Sequence, residues 1–155
     1  MTLTKLNPHV RIEPVTEKIV KENVDKLIGD SDIIIDCMDN FPTRFVLNAC
    51  AVRRRIPLVH GAIWGLEARI TFIEPPHTGC LACLHKKAPP KEVFPVLGAT
   101  PCIAGNIQAM EAIKYMTGVG DLLRGRYLCC DFSQMTFLEF KLKKDPQCAI
   151  CSESR

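Results

Sequence analysis

Residues 31–60 read SDIIIDCMDNFPTRFVLNACAVRRRIPLVH, and the changes of period inside that stretch decide the fold class. Ser31 to Cys37 is a short β-branched apolar run bounded by polar residues, the texture of a strand buried on both faces of a parallel sheet. Residues 41–55 return to helical spacing, with Pro42 tolerated in the first turn and Asp39 or Asn40 placed to cap it. Ile56 to His60 is a second buried strand. A strand, a helix and a strand joined by short connections build a right-handed parallel α/β unit.

Working outward, residues 17–28 (EKIVKENVDKLI) place Ile19, Val20, Val24, Leu27 and Ile28 on one helical face before Gly29-Asp30 ends the pattern. On the other side, residues 68–74 (ARITFIE) read as a strand leading into Pro75-Pro76. Residues 75–101 are rich in Pro, Lys and Gly and read as an irregular excursion. Residues 105–117 predict a helix beginning near Gly105-Asn106, with Ile107, Met110, Ile113 and Met116 on its apolar stripe. The β runs at 127–132 and 136–142, three residues apart, have hairpin spacing. The expected fold is therefore α/β: a partial Rossmann-like parallel sheet with helices, followed by a C-terminal β hairpin and a zinc-stapled loop region. Neither a G-x-G-x-x-G nor a P-loop occurs in the 155 residues.

That length suits one ordinary domain or a large piece of a bigger one. With 47% hydrophobic and 24% charged residues the chain is globular in composition, and no apolar run approaches the ~20 residues of a membrane span. Met1 to Asn7 carries no apolar core of a signal peptide, so a cytoplasmic location without membrane contact is expected. A net charge of +3 is too mild to imply nucleic acid, and Arg53–Arg55 and His85–Lys87 read as a solvated helix end and a loop. Nine cysteines, an odd number, argue against a disulfide framework and for reduced thiols, some of them holding metal.

The most specific constellation is Cys80-x-x-Cys83 with Cys148-x-x-Cys151. Each C-x-x-C turn aims two sulfurs at one centre, and two turns complete a tetrahedral thiolate site for structural Zn²⁺. The 64 residues between the pairs mean that only the tertiary fold can bring them together. A redox C-x-x-C needs one pair rather than two, and unrelated buried cysteines are the plain alternative.

Asp36-Cys37-Met38-Asp39-Asn40 lies at the carboxyl end of a buried strand, where open α/β sheets bind ligands. Asp39 can hold Mg²⁺ on a nucleotide phosphate with Asn40 beside it, or either residue can simply cap the helix. Arg44, four residues past Asn40, can pair with Asp39 or Asp36, by default as a surface salt bridge. Cys102, placed just before the late helix, is either a thiolate favoured by the helix dipole or a small buried hydrophobe. Cys37, Cys50, Cys129 and Cys130 read as core packing, and His60 as a structural polar residue.

With these motifs in hand, the sequence resembles the ThiF/MoeB/HesA family, the prokaryotic relatives of ubiquitin-activating enzymes. The resemblance begins at Leu6-Asn7-Pro8 and takes in D-x-x-D-N-x-x-x-R (Asp36 to Arg44), GCLACL, GNIQAMEAIKYMTG and DPQCAIC, in order. It implies an activity: binding of ATP and Mg²⁺, and adenylation of the C-terminal glycine carboxylate of a ubiquitin-like sulfur-carrier protein with release of pyrophosphate. It implies that Asp39 coordinates Mg²⁺ and touches ATP, that Asn40 and Arg44 belong to the nucleotide site, and that Cys80, Cys83, Cys148 and Cys151 hold zinc. Some relatives use a loop cysteine for a covalent carrier adduct; here only Cys102 is near that place, where relatives often have glycine. A homodimer or a partner subunit is also implied.

The family's glycine-rich phosphate turn, ribose acid, arginine finger and lysine have no counterpart in these residues. Residues 1–155 are therefore expected to be the C-terminal portion of a ThiF/MoeB-type adenylation domain, incomplete and inactive alone. The competing expectation is a non-catalytic zinc-binding module that binds a sulfur carrier or a partner subunit. A nucleotide-dependent oxidoreductase is excluded by the missing dinucleotide fingerprint.

Overall fold

The computed structural model describes residues 2–88 and 95–152. Its elements run α1 (Thr2–Leu6), α2 (Val24–Ile28), β1 (Ile34–Asp36), α3 (Phe41–Arg54), β2 (Leu58–Trp64), β3 (Glu67–Ile73), α4 (Leu81–Leu84), α5 (Ala99–Thr117), β4 (Arg126–Asp131) and β5 (Thr136–Lys141). The five strands form one sheet in the order β1-β2-β3-β4-β5. β1 and β2 are parallel, joined by α3, in the register Ile34 to Leu58 and Asp36 to His60. The other three pairings are antiparallel.

The α/β expectation holds, with the parallel pairing confined to the first two strands. Beyond His60, β2 runs on to Trp64 and turns back through Gly65-Leu66 into β3, where Gly65 has a φ of +56°. A φ in that region suits glycine, which has no Cβ to clash. The predicted hairpin is present as β4 and β5.

Two helices depart from the expectation. Only Val24–Ile28 of residues 17–28 is helical. Upstream, Asn23 Oδ1 accepts from the Val20 N–H at 2.9 Å and its Nδ2 donates to the Lys18 carbonyl at 2.9 Å. Asparagine thus satisfies the backbone locally and competes with the helix ladder. Conversely, α5 starts at Ala99, not at Gly105. Pro101 sits in the first turn, where its missing N–H costs nothing, and the Thr100 hydroxyl anchors the helix start to the Gly65 carbonyl at 2.8 Å. The excursion expected over 75–101 contains the short helix α4, while residues 89–94 lie outside the described residues.

Successive β residues point to opposite faces, so β2 and β3 feed two cores. Leu58 joins Leu47, Ala51, Val52, Ile73, Leu81 and the cysteine loops on one face. Val59 joins Ile70, Phe72, Ala104 and Leu123 under α5 on the other. Fully burying each large apolar side chain contributes roughly 1.5–3 kcal/mol. Cys50 and Cys130 are buried as expected, Cys129 is half-buried, and Cys37 is exposed because it follows β1 in the open turn. Among the described residues no helix is long and apolar enough to cross a membrane.

Candidate functional site

β1 ends at Asp36, whose side chain is fully buried, and the chain then leaves the sheet through an exposed turn. Asn40 caps α3: its Oδ1 accepts from the Thr43 N–H at 2.9 Å, and its Nδ2 donates to Asp39 Oδ1 at 2.9 Å. Asp39 and Asn40 are both exposed and adjacent. The turn beneath them is held through Met38. Asp36 Oδ1 accepts from the Met38 N–H at 3.0 Å, and Arg44 Nη2 donates to the Met38 carbonyl. A carboxylate and an amide are thus presented beyond the carboxyl end of a parallel strand, on a turn whose backbone is fixed from below.

Arg44 is not the surface ion pair expected from its spacing. Only 6% of it is exposed, because α3 packs its stem against the sheet. Its Nη1 lies 3.3 Å from Asp36 Oδ2, donates to the Gly61 carbonyl at 2.5 Å, and lies 3.2 Å from His60 Nδ1. His60 Nδ1 is 2.7 Å from Asp36 Oδ2. Since a carboxylate accepts only, this contact assigns the proton to Nδ1 and leaves Nε2, which is buried without a partner. Burial pushes the His60 pKa down, against the pull of Asp36, so the imidazole is neutral beside a carboxylate–guanidinium pair. From α5, Gln108 Nε2 donates to the Asp36 and Val59 carbonyls at 2.9 and 3.2 Å. Gly61 makes room for it, since a Cβ there would stand 2.4 Å from Gln108 Cδ.

The four predicted metal ligands come together. The sulfurs of Cys80, Cys83, Cys148 and Cys151 all lie within 4.8 Å of one another. Cys80 to Cys148 is 3.7 Å and Cys83 to Cys151 is 3.4 Å. A tetrahedron with metal–sulfur bonds of ~2.3 Å has edges of about 3.8 Å, so the arrangement could hold a metal ion. Cys80 precedes α4 and the second pair closes the chain's tail onto it. Burial pushes the Cys80 thiol up to about 11, against the opposing influence of the Asn48 side chain, and burial also raises Cys151. Cys148 is drawn down: burial is outweighed by backbone N–H groups of Cys151 and Ile150. A metal ion entering this cluster must displace protons.

Cys102 lies inside the first turn of α5 rather than before it, and it is exposed rather than buried. The α5 residue that reaches the end of β1 is Gln108, six residues further on. Sequence reasoning assigned no role to Gln108 or Gly61. Their relation is a close approach between distant segments, which no local spacing encodes; the one available signal was a glycine inside an apolar β run.

A model described as the ThiF family matches residues 1–150. The SAMP-activating enzyme E1 of Haloferax volcanii is 40% identical over 154 residues, covering 96% of this chain and 57% of that protein. The sulfur carrier protein adenylyltransferase of Thermus thermophilus is 33% identical over 162 residues, covering 97% of this chain and 60% of that protein. The crystal structure of E. coli MccB with ATP superposes with a TM-score of 0.83 over 97% of this chain and 49% of that one. At 18% identity that is a likeness of fold. The chain spans a little over half the length of these curated relatives. With the family model matched over nearly its whole length and the two C-x-x-C turns closed into one cluster, the chain belongs to the ThiF family.

Proposed function

We propose that this chain is part of a cytoplasmic enzyme that adenylates the C-terminal glycine carboxylate of a ubiquitin-like sulfur-carrier protein. The observation that carries the reading is the Asp39–Asn40 turn: an exposed carboxylate and amide beyond the end of β1, braced by buried groups, in a ThiF-family chain. Asp39 holds Mg²⁺ and Asn40 orients the nucleotide beside it. Bound MgATP supplies an electrophilic α-phosphate and a pyrophosphate leaving group, and its anionic charge calls for a metal and fixed donors. Arg44 serves this site by holding Met38, since its guanidinium is engaged by Asp36, Gly61 and Met38. Zinc in the four-cysteine cluster is structural. Cys102, exposed on α5, would serve as the thiol for an adduct with the carrier.

The assay is carrier-dependent exchange of pyrophosphate into ATP, run with a segment supplying the family's glycine-rich turn, arginine and lysine. Asp39→Ala is expected to abolish exchange while leaving the fold and metal content intact. Near-normal exchange in that variant would reduce Asp39 to a helix-end residue. The 155-residue chain by itself is expected to give no exchange; each missing charge-assisted contact is worth roughly 1.5–3 kcal/mol.

A second reading, a metal-bearing module that binds a carrier or a partner subunit without catalysis, is favoured by the outer strand. Phe137, Leu138 and Phe140 on β5 are each more than half exposed, which suits a covered surface. Exchange activity that survives in the reconstituted protein removes this reading.

A further inference from the structure

Asn40, Arg44 and Asn48 stand four residues apart, on one stripe of α3. Asn40 caps the helix, and Arg44 ties it to the ends of β1 and β2. Asn48, fully buried, reaches the cysteine loops: its Oδ1 accepts from the Leu81 N–H at 2.9 Å. Its Nδ2 is buried and makes no normal hydrogen bond. The bond from Leu81 seats the Asn48 amide beside Cys80, the residue before Leu81, and the side chain favours the Cys80 thiolate against burial. A metal-bound thiolate is a stronger acceptor than a thiol, and outer hydrogen bonds of this kind orient metal ligands.

We infer that Asn48 is a positioning residue that joins the four-cysteine centre to the Asp39 turn, donating from Nδ2 to the Cys80 thiolate when a metal is bound. The inference rests on the reading of the cluster as a metal site. α3 carries the restraint along its length, and Arg44 passes it to Met38 and the turn. The cluster then does more than staple the tail, because its occupancy sets how firmly the Asp39–Asn40 pair is held.

The experiment uses the chain loaded with NMR-active cadmium. The expected result is a coupling, transmitted through the hydrogen bond, between the metal and the Asn48 side-chain amide. Replacing cadmium by zinc, with its shorter bonds to sulfur, should shift the backbone amides of Met38, Asp39 and Thr43 as well as those of Leu81 and Cys83. Asn48→Asp keeps the acceptor for Leu81 but deletes the donor. It is expected to weaken metal affinity about 10–100-fold and to silence the response at residues 38–43 while that at 81–83 persists. Bound cadmium without the coupling, or an undiminished response at 38–43 in the variant, overturns the inference alone. Absence of thiolate-to-cadmium charge-transfer absorption overturns the metal reading and the inference together. The coupling in the unsubstituted chain decides the matter even where the variant does not fold.

Discussion

The turn after β1 and the cysteine loops are both irregular segments held against α3, by opposite means. The turn is fixed by groups the chain supplies itself: the Asp36 carboxylate, the Arg44 guanidinium, the Gln108 amide and a neutral His60, all buried. The loops are fixed by four sulfurs, three of them buried, whose thiols have little reason to stay together without an ion. The contacts of the turn form from the chain alone, whereas the cluster is completed by an ion whose binding, on the inference above, tightens the turn as well. An exposed carboxylate that must stay in place benefits from the first kind, while the tail depends on the second.

The largest test of that contrast is metal removal. Structural zinc sites bind with apparent energies of roughly 10–16 kcal/mol, comparable with the ~5–15 kcal/mol stability of a whole domain. About one zinc per chain is expected, and chelation should collapse the thermal transition, with amide protection lost first at residues 80–84 and 145–151. Freshly reduced protein that contains no zinc by elemental analysis would break the comparison.

Next comes the self-sufficient side. Arg44→Met removes one partner of a buried pair and leaves the Asp36 carboxylate uncompensated, a loss of about 3–5 kcal/mol in urea unfolding. Arg44→Lys should recover little, because one ammonium cannot reach the carbonyls of Met38 and Gly61 together with Asp36. A loss below about 1 kcal/mol would mean that the turn is held by packing alone.

Acid sharpens the contrast further. Burial lowers the folded-state pKa of His60, and of His85, below the ordinary 6.5. Above that value both states are neutral there and the histidines have no effect. As pH falls below 6.5 the unfolded chain takes up protons that the folded one refuses, so stability drops, by on the order of 1 kcal/mol per pH unit for the fully buried His60 and by less for the half-buried His85. His60→Gln should flatten the dependence between pH 7 and 5 in a series of urea titrations; an unchanged slope would count against a neutral buried imidazole. The smallest effect belongs to the cap: Asn40→Ala should cost about 1 kcal/mol by the same measurement.

Much of this was legible. The alternation of β-branched runs with helical spacing placed β1, α3 and β2, because burial on both faces demands uniformly apolar strands. The doubled C-x-x-C named four sulfurs that do meet. Arg44 was harder, since its acceptors include Gly61, seventeen residues away on β2, so its burial is a property of how α3 sits against the paired strands. Residues 17–23 carried a helical stripe, yet Ile19 packs against the core from irregular chain because Asn23 satisfies the backbone there. Gly105 read as a boundary, although nothing crowds it within α5.

The 64-residue gap between the cysteine pairs also has a meaning in time. On a ribosome adding roughly 5–20 residues per second, Cys83 precedes Cys148 by about 3–13 s. During that interval β2 and β3 can pair through their two-residue link, while the sulfur site has only half its ligands. A metal ion met early would be held by two thiols and open to exchange with whatever else the cell offers. The second cysteine pair, made after the first, is therefore the one that decides which ion stays.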